Sequence, residues 1–362
     1  MVHLHSTPPA DMNVLAVTND NNLVRYSSLS PSFGGDIIAK NVESTLYTSC
    51  SVSQVVKNRY VFMVGGATHG LPSRDVFFYD LHQVGHGGCK RTPGPLLHVP
   101  KSHPTLIVMG SKLFAFSYIL GDSNPDHIWQ SRPPYEVLDT VSDCWQWCTP
   151  QPFPEFPPPF DDNAYNVVSY VADESIDTLY LSLGNFTRPN TQGTLCITYN
   201  TYLDKWDTDT HLPLPFYGEG KVFDNLFYGF PCGMSASDFF CLGVYKLYTD
   251  STNHNSFSSC WVELRRYSLD SGVSGPFHSY LESLYVLRKD VVAIIRARAT
   301  GLLEKFKPHL LEFDVVKLVD TESDVQASFG SIIIDHHSSY RHNQGFDAIV
   351  GVCWGASEQQ RL

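Results

Sequence analysis

Charge is scarce in this chain, and positive charge scarcest. Only 17% of its 362 residues are Asp, Glu, Lys or Arg, below the quarter or so usual in globular domains. The 37 acidic residues outnumber 25 basic ones, for a formal net charge of −12. No Lys/Arg run is longer than a pair, as at Lys90-Arg91 and Arg265-Arg266, so the summed field repels phosphate backbones and anionic bilayers. Nucleic acid and membrane are therefore not expected partners. Long apolar runs are missing too: none approaches the roughly 20 residues that span a bilayer. Met1 to Ala10 lacks the basic and apolar regions of a signal peptide. The expected location is the cytoplasm or the nucleus.

Cys-x-x-Cys pairs are absent. The nine cysteines are dispersed, most of them in or beside apolar segments such as those of Cys196, Cys241 and Cys353, where a thiol acts as a small buried hydrophobe. Reduced thiols suit a reducing compartment. Asn185-Phe-Thr187 matches a glycosylation sequon, but without a secretion signal it is read as chance. Cys144 and Cys148 share a face of an extended segment too far apart to pair, and burial is the expected role of both. There is also no Gly-x-Ser-x-Gly elbow, no His-Glu-x-x-His and no phosphate-binding Gly loop. No cofactor is expected, and the expected class is a non-enzymatic one.

What the chain has is repetition. Tyr60 to Gly66 is followed by Asp75 to Asp80, Lys112 to Tyr118 by Tyr135 to Asp139, and Thr178 to Gly184 by Cys196 to Asn200. Aromatics at 13%, with 23 prolines and 25 glycines between the apolar runs, suit many short half-buried strands. Hairpins are predicted for Val52–Val56 with Tyr60–Gly65, Pro104–Met109 with Lys112–Tyr118, Tyr165–Val171 with Thr178–Leu183, Lys221–Phe223 with Asn225–Phe230, and Ser279–Leu287 with Val291–Arg296. Third strands follow at Val76–Asp80, Glu136–Asp139, Leu195–Asn200, Phe239–Tyr245 and His309–Val316. The hairpin Asn13–Val17 with Leu23–Tyr26 lacks a preceding partner, and Phe346–Trp354 lacks a following one. Pairing the two closes a ring and removes open sheet edges. The expected architecture is all-β: a six-bladed β-propeller over residues 13–354, with tails at 1–12 and 355–362, and monomeric.

The Gly65-Gly66 strand ending, the Val76-Phe-Phe-Tyr-Asp80 strand, and Trp145 and Trp206 after later third strands resemble kelch-type, galactose-oxidase-like propellers. Trp206 to Phe216, Asn225 to Phe230 and Pro100-Lys-Ser-His-Pro104 are similar to the kelch-like family of unknown function expanded in grasses. The resemblance implies the propeller fold and a plant source. It also implies Tyr199, Trp145 and Trp206 packed between blades, as large aromatics are.

Two constellations carry functional expectations. Pro150 to Phe160 joins six prolines with Phe153, Phe156 and Phe160, a stiff extended loop offering apolar anchors to a partner protein at low entropic cost; a plain spacer between blades is the other reading. Asp335 to His342 is the densest ligand-type run, and on an extended segment His336, Tyr340 and His342 share a face. That set belongs to the alternative function, a metal-dependent lyase or oxidoreductase. The run Asp122 to His127 has the order but not the spacing of the iron ligands in kelch proteins that redirect glucosinolate breakdown. The leading expectation is a recognition module that binds a protein partner through propeller-face loops.

Overall fold

The structure is a computed structural model that describes residues 12–18, 23–27, 36–40, 51–56, 59–68, 71–83, 89–102, 104–117, 134–141, 145–149, 151–152, 154, 165–185, 195–207, 213–231, 241–250, 258–268, 279–298, 310–319, 329–341 and 346–354. Every helix or strand element among them is a strand. No helix among the described residues is long and apolar enough to cross a membrane.

The strands fall into four-stranded antiparallel groups. The first comprises β1 (Met12–Thr18), β2 (Leu23–Ser27) and β3 (Asp36–Ala39). The second has β4 (Ser51–Val56) and β5 (Tyr60–Gly65), a small hairpin of β6 (Ala67–Thr68) and β7 (Leu71–Pro72), then β8 (Val76–Asp80) and β9 (Thr92–Pro93). The third is β10 (Thr105–Met109), β11 (Lys112–Phe116), β12 (Tyr135–Asp139) and β13 (Trp147–Cys148). Next come β14 (Tyr165–Asp173), β15 (Thr178–Asn185), β16 (Leu195–Asn200) and β17 (Lys205–Asp207). They are followed by β18 (Phe216–Phe223), β19 (Leu226–Pro231), β20 (Cys241–Asp250) and β21 (Ser258–Ser268). The chain ends with β22 (Ser279–Arg288), β23 (Val291–Arg298), β24 (Leu310–Val319), β25 (Phe329–Arg341) and β26 (Phe346–Trp354). As the lone hairpin required, β26 pairs with the free edge of β1, from Met12↔Trp354 to Thr18↔Phe346, giving the order β26-β1-β2-β3.

Both faces of these sheets are covered, which explains why their strands read as almost unbroken apolar runs. Along β11, Phe114 and Phe116 pack with Leu179, Leu181 and Leu183 of β15, while Leu113 and Ala115 pack with Phe62 and Leu97 of the preceding group. Along β23 the period of two sends Val291, Ala293 and Ile295 toward Val14 and Val24, and Val292 and Ile294 toward Tyr228 and Leu242. The leading strands lie side by side in the succession β26, β4, β10, β14, β18, β22, and β22 also touches β26.

Several expectations need correction. The last three groups do not stand as separate sheets: short parallel pairings, Ser169↔Gly218 with Tyr170↔Glu219 and Arg266↔Phe329 with Tyr267↔Gly330, join them into one twelve-stranded sheet. The run after Ile334 continues as strand through Arg341 because β25 pairs with all of β24. Trp145 packs between the second and third groups, against Tyr60, Phe62 and Phe78, but is only half buried. The indole across the ladder from Leu138 is Trp147, as Trp206 lies across from Tyr199, because the turn before β13 is longer than the one before β17. Cys148, expected to be buried, is exposed, since it alternates with the inward Trp147.

Candidate functional site

The turns joining the first and second strands of the central groups, and the turns joining their third and fourth strands, meet on one face. Polar side chains at these bends bond backbone groups that strands would otherwise satisfy. Glu174 Oε1 accepts the Gly110 amide at 2.8 Å. Ser111 O accepts the Thr140 amide at 3.0 Å and its hydroxyl at 2.7 Å. Asp177 O accepts the Thr201 amide at 2.8 Å, and Lys112 Nζ donates to Thr201 O at 3.4 Å. Asp177 and Asp204 hold φ of 52° and 50°, a left-handed bend that Asp tolerates better than most residues.

Set on these linked turns are Tyr202, Leu203, Val141 and Ile176, exposed by 82%, 65%, 65% and 49%. None is required by strand alternation, and apolar residues in a turn are the signal in the sequence for such a surface. Beside them a cavity of about 370 Å³ opens between the β14–β15 and β18–β19 hairpins. It is lined by Asp173, Glu174, Glu219 and Asp224, with Lys221 and the apolar Phe223. Lys221 Nζ pairs with Glu219 at 2.5 Å and lies 5.1 Å from the centre of the Tyr285 ring. Burial by itself lowers the Lys221 pKa, but Glu219, with Tyr285 and Glu174, outweighs it and holds the ammonium above lysine's ordinary value.

A second cleft, of about 300 Å³, lies where the second and third groups meet, lined by Arg59, Tyr60, Phe78, Asp80, Gln83, Lys90, Thr92 and Trp145. Arg59 grips Asp80 with both ends of its fork, Nε–Oδ1 at 3.0 Å and Nη2–Oδ2 at 2.7 Å. The hydrogen bond from Arg59 holds the Asp80 carboxyl below the usual range.

The sequence-derived sites fall largely elsewhere. Phe153, Phe156, Phe160 and His342 lie outside the described residues, as does the run Asp122 to His127. His336 and Tyr340 sit on β25, across from Val315 and Leu311, and their side chains also lie outside what is described. Among the described residues no group of three His, Cys, Asp or Glu is placed to hold a metal ion. The Pro-rich segment does have a fixed start: Gln151 O accepts the Tyr135 hydroxyl at 2.7 Å, and Gln151 Nε2 donates to Asp204 at 3.2 Å.

No curated protein matches this chain. Residues 20–283, the greater part of its length, match the family described as "Protein of unknown function (DUF1668)". This chain of repeated antiparallel groups belongs to the DUF1668 family.

Proposed function

We propose that the protein is a non-enzymatic recognition module, a kelch-type propeller of six blades over residues 13–354, that holds a partner protein on its turn face. The ring reading is supported by the β1–β26 pairing and by the unbroken succession of neighbouring leading strands. The binding reading rests on one observation: Val141, Ile176, Tyr202 and Leu203 stand exposed on turns tied to one another by hydrogen bonds. Exposed apolar side chains brought to one face supply the anchors that an interaction surface uses. Among the described charged residues lining the adjacent cavity, Asp173, Glu174, Glu219 and Asp224 stand against Lys221 alone, so the fitting partner is a segment with apolar anchors flanked by Lys or Arg. Phe153, Phe156 and Phe160, on the segment that leaves Gln151 beside Asp204, belong to the same proposal as additional anchors.

The test is selection of a displayed random-peptide library on the intact chain. Enriched peptides should combine aromatic or aliphatic residues with Lys or Arg, and should slow amide exchange at 139–141, 174–177 and 201–204. The Val141→Ser/Tyr202→Ser/Leu203→Ser variant should melt as the parent does and lose those peptides. Peptides that lack basic residues, or that bind the variant equally well, overturn the reading.

A further inference from the structure

The aromatic cleft between the second and third groups is lined by none of Val141, Ile176, Tyr202 and Leu203, although Trp145 shares the β12–β13 connection with Val141, and it is built differently. Tyr60, Phe78 and Trp145 form its apolar wall, with ring centres 5.9 Å (Tyr60–Phe78), 5.0 Å (Tyr60–Trp145) and 4.9 Å (Phe78–Trp145) apart. All are partly accessible rather than sealed in the core. They come from β5, β8 and the segment before β13, their contacts with one another run edge to face, and they rest on buried Phe62 while lining the cleft. Arg59 lies 4.8 Å from the centre of the Tyr60 ring and is engaged by Asp80 through both of its hydrogen bonds. Lys90, exposed, adds a second cation to the wall, so among the described residues the lining carries two cations and one carboxylate.

This combination selects a ligand class. A cationic ligand meets Lys90 and a Tyr60 ring already capped by Arg59. A neutral polar ligand makes no use of the excess of cations over carboxylates among the described lining residues. A flat apolar body against the rings with an anionic group toward Lys90 satisfies both halves of the site. The volume, at the low end for ligand pockets, suits a single ring. We propose that this cleft binds a small aromatic acid, its ring packed on Tyr60, Phe78 and Trp145 and its carboxylate or phosphate paired with Lys90.

The experiment titrates the full chain with benzoate and phenyl phosphate, following the Trp145 indole N–H resonance assigned through Trp145→Phe, with calorimetry in parallel. Benzamide and benzylammonium supply the same ring without the negative charge, and inorganic phosphate supplies the charge without the ring. The expected result is a saturable shift with benzoate or phenyl phosphate, whichever is tighter naming the anion, and about tenfold weaker binding on Lys90→Met at unchanged melting temperature. Equal response to benzamide, equal binding of inorganic phosphate, an unmoved Trp145 resonance, or a Lys90→Met variant that binds like the parent would each overturn the site. The Val141→Ser/Tyr202→Ser/Leu203→Ser variant should bind the aromatic acid normally, which separates this inference from the turn-face reading.

Discussion

A single lysine shows how much of this protein depends on placement. Lys101 and Glu136 are both fully buried, Nζ to Oε1 at 3.4 Å. The Lys101 ammonium also donates to Ser117 Oγ at 3.1 Å, and Glu136 accepts the His98 amide at 2.7 Å. Burial lowers the Lys101 pKa from the ordinary 10.5 to about 8, with Glu136 opposing the shift. Below pH 8 the charged form carries its full burial cost. Between about 8 and 10.5 the unfolded chain binds the Lys101 proton and the folded chain does not, so this group's contribution to stability rises with pH. Lys101→Met strands a buried carboxylate and should cost about 3–5 kcal/mol, while Lys101→Met/Glu136→Gln should recover much of that. Urea titrations at pH 7.5 and 9.5 check both statements. An equally steep rise in the double variant would show that another group titrates.

At the scale of elements, the double glycine after β5 has a physical reason. Gly65 holds φ of +67°, and a Cβ there would lie 2.3 Å from Lys101 O, the same carbonyl that accepts the Gly66 amide at 2.9 Å. The strand ending and the Pro100–Pro104 segment are thus two sides of one contact between groups. Gly110, in the β10–β11 turn, has φ of +57° with nothing within 4 Å of a Cβ. Gly110→Ala should therefore cost only the left-handed strain, about 1–2 kcal/mol, and Gly65→Ala clearly more. Chemical denaturation midpoints decide; equal losses would mean that the backbone at Lys101 gives way without resistance. The Asp224-Asn225 turn, with both φ positive at 51° and 58°, is the same economy solved without glycine, in the manner of tight hairpins.

For the whole molecule the decisive strand is the last. β26 pairs along the length of β1 and also lies beside β4 and β22. Deleting Phe346 to Leu362 leaves the β1 edge without its partner and removes that strand from between its neighbours. The truncated chain should be insoluble, or compact without a cooperative melt and able to bind a hydrophobic dye. Unchanged cooperative melting would show that the first group holds together without its C-terminal strand.

Hairpin positions, third strands and the partner of the lone N-terminal hairpin were legible in the residues, because apolar alternation and turn chemistry are local and sheet edges must be paired. The short outer strands β9 and β13, each two residues long, were not, since two residues carry no periodicity. Trp145 and Trp147 stand two positions apart, and only the ladder decided which indole entered the core. The burial of Lys101, the gathering of Val141, Ile176, Tyr202 and Leu203 on one face, and the meeting of Tyr60 and Phe78 with Trp145 were all decided by tertiary structure. Each depends on how sheets distant in sequence pack face to face, and a local pattern of polar and apolar residues holds no record of which distant neighbour covers it.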